Sequence, residues 1–130
     1  MAMFKNTQGI TKIIFSPKKE CHNICPLGQQ YINKTTPEGK KPVEAHYTNH
    51  FIIEMNCGTL VPDYCDIEEW IDNNLLNQTL IIEDCVNMLY NYINTTYKPL
   101  TLKVTSKVMD AVHGPVEVIK EKTTEKIRNI

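Results

Sequence analysis

The segment from Thr101 to Met109 constrains the fold of this chain more than any other. Its residues alternate in polarity, with Leu102, Val104 and Val108 in one set and Lys103, Thr105 and Lys107 in the other. Successive side chains of a β-strand point to opposite faces, so this alternation predicts a strand with one buried face. A sheet with one apolar face must be covered by another layer, which the rest of the chain has to supply.

Three further strands and two helices are predicted. Thr11 to Phe15, His50 to Cys57 and Val116 to Lys120 are short and rich in β-branched and apolar residues, which is typical of strands. Apolar residues at helical spacing follow Asp63, a good N-cap, and recur from about Leu80 to Ile93. The order strand, strand, helix, helix, strand, strand predicts an α+β domain in which two amphipathic helices cover the one buried face of the sheet.

The first helix also carries a predicted capping box. Asp66 stands three residues after Asp63, where its carboxylate could accept from the backbone of the cap.

The chain of 130 residues is predicted to form a single domain over residues 1–120, followed by a charged tail over 121–130. The outer edges of its sheet would stay unpaired in a monomer. Because unpaired edges bind other strands, we expect a homo-oligomer that joins laterally.

The charge and hydropathy of the chain exclude several classes of partner. Lys and Arg total 14 against 15 Asp and Glu, and Arg128 is the only arginine, so we expect no nucleic acid partner. No apolar run approaches the roughly 20 residues that cross a bilayer, and the N-terminus lacks the apolar core of a secretion signal. We therefore expect a cytoplasmic protein with no membrane partner, and we interpret its five cysteines as thiols.

The sequence from Glu20 to Pro26 holds the first candidate for chemistry. A thiolate is a nucleophile or base when a neighbour lowers its pKa, and His22 stands three residues before Cys25. Cys25 is the predicted catalytic group; the alternative is a pair of loop cysteines with no role.

The histidines form the second candidate. His46 and His50 are four residues apart in an extended segment, and with His22 they would make a three-histidine zinc site with an open position. The alternatives are solvated loop histidines, or a metal site built from cysteines (Cys21, Cys25, Cys57 and Cys65).

Two carboxylates complete the candidate set. Glu83, in the first turn of the second helix, could accept two N–H donors from the guanidine-like edge of a pterin or deazaguanine; the alternative is a favourable contact with the helix dipole. Asp72 is a candidate catalytic residue; the alternative is that Asp72, followed by Asn73 and Asn74, ends a helix.

These residues resemble the tunnelling-fold (T-fold) superfamily, in particular the 6-pyruvoyl- and 6-carboxy-tetrahydropterin synthases. The stretch Gly58 to Ile67 is similar to that family's G-M-V-x-D-F-x-x-I/L, and Glu83 falls at the Glu of its P-T-x-E. The resemblance implies a ββααββ unit, a four-stranded antiparallel sheet with two helices on one face, assembled in an oligomeric barrel. It also implies a zinc ion and a lyase acting on a dihydropterin-like substrate. Lys19, Asn73 and Ser106 fall where that family has a zinc histidine, a relay histidine and a glutamate.

Other residues of the chain resemble a second branch of the superfamily, the nitrile reductases of 7-cyano-7-deazaguanine. Cys25-Pro26-Leu27-Gly28-Gln29 is similar to C-P-x-T-G-Q with one residue missing, and Glu83 to Asn87 matches the E-D-C-V-N of H-E-D-C-V-N. This resemblance implies that Cys25 attacks a nitrile carbon to form a thioimide while Glu83 holds the base.

Three functions are therefore expected, in this order: a tetrahydropterin synthase-like lyase, a nitrile-directed enzyme of the 7-deazaguanine (queuosine) route, and a T-fold protein that binds a ligand or partner without catalysis.

Overall fold

The computed structural model describes residues 4–24, 46–76, 80–109 and 114–123, with backbone alone at 20–24 and 46–47. Its strands are β1 (Phe4–Lys5), β2 (Lys12–Phe15), β3 (Glu20–Ile24), β4 (His46–Asn56), β5 (Leu60–Val61), β6 (Thr101–Val108) and β7 (Val116–Lys122). The helices are α1 (Tyr64–Asn74) and α2 (Ile82–Tyr97). No helix in this described part of the chain is long and apolar enough to cross a bilayer.

The main sheet is antiparallel throughout. β4 pairs with β6 and β6 with β7, while β2 and β3 pair with successive halves of β4. β2 and β3 are therefore one interrupted edge strand, and the sheet has the predicted four-stranded ββααββ plan. β1 and β5 add a separate two-stranded sheet at one end.

A bulge separates β2 from β3. Phe15 pairs with Ile53 and Glu20 with His50, so residues 16–19 lie opposite residues 51 and 52 alone. The hydroxyl of Ser16 donates to the carbonyl of Phe51 at 3.0 Å, and Pro17 is buried. These two contacts fix the path of the bulge against β4.

Asp63 caps α1 as predicted, because its carboxylate accepts from the backbone N–H groups of Cys65 and Asp66 at 3.1 and 3.3 Å. The predicted reciprocal contact of the capping box does not form. The Asp66 carboxylate instead accepts from the hydroxyls of Tyr92 and Tyr97 on α2. The N–H of Asp63 donates to the Tyr97 hydroxyl at 3.2 Å, so the start of α1 lies at the end of α2.

The core lies between the helices and one face of the sheet. Fully buried side chains of β4 and β6 meet those of the helices, namely Phe51, Ile53, Leu102, Val104, Ile67, Ile71, Leu89 and Ile93. This is the face that the alternation of residues 101–109 predicts. Trp70 stacks on Tyr92 across the two helices, with ring centroids 4.7 Å apart.

One residue of the predicted solvent face is buried. Thr105 is 4% exposed because it lies between Ile52 of β4 and Ile119 of β7 in the register. The face of the sheet that points away from the helices thus has an apolar centre.

Candidate functional site

The two helices run antiparallel, and contacts along α2 fix its direction over the sheet. Tyr97 at its end meets the start of α1, and Asn87 accepts from Lys120, which pairs with Val104. The first turn of α2 therefore lies toward the Val108 end of β6, and the last turn of α1 lies there too. We call this region, which holds Asn49, Asp72, Glu83 and Ser106, the polar end of the sheet.

Two polar side chains are buried on the helix-facing side of the sheet at the polar end. Asn49 and Ser106 are both 0% exposed, although their neighbours at alternate positions are apolar. The hydroxyl oxygen of Ser106 has no hydrogen-bond partner among the described residues. A buried polar atom without a partner costs about 1–3 kcal/mol, so such atoms mark places where a ligand or water is expected.

Asp72 forms an ion pair with a residue that is distant in the sequence. Its Oδ2 accepts from Nζ of Lys19 at 3.1 Å, and both side chains are about one-third exposed. The other carboxylate oxygen, Oδ1, is buried and has no hydrogen-bond partner among the described residues. Lys19 stands where the resemblance places the first zinc histidine, so an ammonium group occupies that position in this chain.

Glu83 lies in the first turn of α2 and is exposed in the single chain, beside the equally exposed Asp84. The N-cap residue Ile81 has no side chain that caps the helix, so within the described residues the first backbone N–H groups of α2 have no such partner. The turn therefore combines peptide donors with a carboxylate, and both are open to a ligand or a neighbouring subunit.

The three histidine positions belong to one face of the sheet. His22 pairs with Thr48, which stands midway between His46 and His50 on β4, and directly paired residues share a face. His50 is exposed while Asn49 and Phe51 are buried, so this face is the one that points away from the helices. Within one chain the sheet thus separates the histidine positions from Asp72.

The two histidine positions on β4 are separated along the strand. β4 is a continuous strand from His46 to His50, and four residues of extended chain span about 13 Å. A shared zinc ion would require both imidazoles to lean toward each other along the strand, and the side chains at His22 and His46 lie outside the described residues, so the three-histidine site stays a prediction. No group of three metal-binding side chains occurs within the residues that the structure describes.

Cys25 lies outside the described residues. The residue before it, Ile24, ends β3 and pairs with His46, at the end of β4 that belongs to the polar end of the sheet. The cysteines that the structure describes in full, Cys57, Cys65 and Cys85, are free thiols. Burial raises the pKa of the Cys57 thiol, which makes it a poor nucleophile.

The resemblance places Lys19 and Ser106 at functional positions of the family, but sequence reasoning missed Asn49, the burial of Ser106 and the pairing of Lys19 with Asp72. The sequence contains a signal for the burial of Ser106 and Asn49, because each stands at an alternate position from buried apolar residues of its strand. Ser106 alternates in this way with Leu102 and Val104, and Asn49 with Phe51. No local signal could pair Lys19 with Asp72, because they are 53 residues apart in the chain.

Two solved structures are similar to this chain. An archaeosine synthase of the QueF-like type aligns with a TM-score of 0.64 at 14% identity, over 88% of this chain and 94% of that one. A Vibrio cholerae protein assigned as a dihydroneopterin aldolase (FolB) aligns with a TM-score of 0.59 at 14% identity, over 88% and 98% of the two chains. No protein-family model matches the sequence, and no curated protein matches it either.

The two alignments cover almost the whole length of the similar structures. Both of these structures are T-fold proteins. At this identity the likeness concerns the fold, and it agrees with the strand order and register described above. This chain has the tunnelling fold.

Proposed function

We propose that this protein is a T-fold enzyme that binds a pterin- or 7-deazaguanine-like ring through Glu83 and forms a covalent bond to it through Cys25. The observation that carries the proposal is the placement of Glu83 at an open helix start, at the same end of the sheet as the end of β3 that precedes Cys25. The resemblance of both segments to the nitrile-directed branch agrees with this placement.

The compounds named for the two similar structures support the choice of ring. Archaeosine is a 7-deazaguanine nucleoside and dihydroneopterin is a pterin, and both rings present an amino-amide edge with adjacent N–H donors. A carboxylate can accept two such donors at once, and charge-assisted hydrogen bonds of this kind are about twice as strong as neutral ones. Glu83 is the side chain we assign to that edge.

The proposed covalent step needs no oxidant or reductant. The sulfur of Cys25 bonds to the nitrile carbon, one π bond of the C≡N group breaks, and its electron pair goes to nitrogen. The thiol proton ends on that nitrogen, which gives a thioimide. A neighbouring base that takes the thiol proton speeds this addition, since the thiolate is the reactive form.

The alternative is a lyase of the tetrahydropterin synthase type, with the ring bound in the same way. Its resemblance rests on residues 58–67 and on Glu83. The three-histidine zinc site stays a prediction, and no step of the proposed covalent chemistry depends on it.

Mass spectrometry tests the covalent step. After incubation with 7-cyano-7-deazaguanine under non-reducing conditions, we expect the intact protein to gain the full mass of the probe, and peptide mapping to place it on Cys25. The variant Cys25→Ser should gain nothing, whereas Cys65→Ser, which removes an exposed thiol elsewhere, should react as the unmodified protein does.

An unmodified mass under these conditions contradicts the nitrile-directed chemistry. If the protein then still binds the ring through Glu83, the lyase or a non-catalytic binding protein becomes the better account.

A further inference from the structure

We infer that Asp72 contacts the bound substrate and that Lys19 is its positioning residue. The inference rests on the proposed function, because it concerns the same end of the sheet and the same ligand. It assigns to Asp72 Oδ1 a hydrogen bond from an N–H or O–H group of the ligand, and to the Lys19 ammonium the task of holding the carboxylate in place.

The position of Asp72 on its helix is unfavourable without a cation. It lies in the last turn of α1, where the partial negative charge of the helix dipole repels a carboxylate, and that turn contains no basic residue. The compensating charge comes from Lys19, which lies on another element.

The bulge before β3 accounts for the position of Lys19. A regular strand would place two residues opposite residues 51 and 52, but the chain places four there. Bulges often redirect a side chain next to an active site. Here the Ser16 hydrogen bond and buried Pro17 fix the bulge, and Lys19 reaches Asp72 from it.

Stability alone does not explain this arrangement. Partly exposed ion pairs contribute about 0–1 kcal/mol, while the buried Oδ1, which the described residues leave without a partner, costs about 1–3 kcal/mol. A ligand donor at Oδ1 would complete the carboxylate, which then has one oxygen on Lys19 and the other on the substrate.

The test measures the affinity for 7-cyano-7-deazaguanine by isothermal titration calorimetry, together with the melting temperature of each variant. We expect Asp72→Asn and Lys19→Met each to weaken binding at least tenfold, and Lys19→Arg to keep most of the affinity. The neighbouring exposed residues give matched controls, Glu69→Gln and Lys18→Met, which should bind as the unmodified protein does.

A charge-swapped double variant, Lys19→Asp with Asp72→Lys, separates this inference from a structural role. The swap restores the ion pair, so a structural role predicts recovered binding. Our assignment predicts a restored melting temperature without recovered binding, because an ammonium at position 72 cannot accept the ligand's donor.

The remaining outcomes are distinct. If Glu83→Gln abolishes binding while the Lys19 and Asp72 variants bind normally, or if the swap restores binding, this inference is wrong and the proposed function stands. If the unmodified protein binds neither this ring nor a pterin, both are wrong.

Discussion

Asp66 and the two tyrosines that donate to it join the start of α1 to the end of α2. Tyr97 is 0% exposed, and its hydroxyl donates to Asp66 while it accepts from the N–H of Asp63. Burial and then the Asp66 charge raise the pKa of Tyr97 to about 12, although the hydrogen bond from Asp63 acts in the opposite direction. The same two causes raise the pKa of Tyr92 even further.

This network predicts a loss of stability at high pH. The folded Tyr97 keeps its proton above the ordinary pKa of 10, so its contribution is complete below pH 10 and is lost as pH rises to about 12. Tyr97→Phe leaves the Asp63 N–H without its partner and leaves the Asp66 carboxylate with the Tyr92 hydroxyl alone, and should lower the free energy of unfolding at pH 7 by about 1–3 kcal/mol. Urea unfolding measured at pH 7 and at pH 11 checks both effects.

In the same experiment Tyr97→Phe should lose less stability between the two pH values than the unmodified protein. The exposed Tyr64 gives the control, and Tyr64→Phe should leave both values nearly unchanged. Equal pH dependence in the Tyr97→Phe variant would show that the network does not hold the tyrosine proton.

At the scale of elements, the sequence predicts the parts of the fold that have regular apolar spacing. The alternation in β6 and the N-cap at Asp63 are both confirmed. β4 begins four residues earlier than predicted, at His46 rather than His50, because that half is polar and gives no alternation. α2 continues to Tyr97, since Asn94, Thr95 and Thr96 dilute its apolar stripe without ending the helix.

The interrupted first strand shows why a site is harder to predict than a fold. Pro17 and two lysines indicate a break in the sequence, whereas in the structure they form a bulge inside one edge strand. Glu83 and Asp72 are predicted as site residues because local motifs contain them. The partner of Asp72 depends on how distant elements pack, so only the folded chain identifies it.

At the scale of the whole molecule, the single chain leaves apolar sheet residues in solvent. Ile14 on the β2 edge is 63% exposed, and Ile119 on the β7 edge is 45% exposed. On the outer face, Ile119 lies between Glu117 and Glu121, whereas Ile14 follows Lys12 and pairs with Glu54. Unpaired edge strands that expose apolar side chains favour pairing between the edges of neighbouring copies.

We therefore expect an oligomer that depends on these edges. Analytical ultracentrifugation at micromolar concentration should find the unmodified protein assembled and Ile14→Lys largely monomeric. The β2 edge would then carry a second lysine, and its charge opposes burial of the edge against another copy. The substitution should barely change the stability of the monomer, since the side chain is exposed there.

The control for this prediction is Leu100→Lys. Leu100 is 53% exposed but lies in the turn before β6 rather than on a sheet edge. It should assemble as the unmodified protein does. A monomeric unmodified protein, or an Ile14→Lys variant that assembles fully, would contradict pairing through these edges.

The central claim is that Glu83 binds the polar edge of a fused heterocycle, and calorimetric titration with 7-cyano-7-deazaguanine tests it most directly. Glu83→Gln keeps the size of the side chain but removes its charge and one acceptor, so we expect at least a tenfold loss of affinity. Asp84→Asn, which changes the other exposed carboxylate of the same turn, should bind as the unmodified protein does. Equal affinity of Glu83→Gln and the unmodified protein would contradict the account.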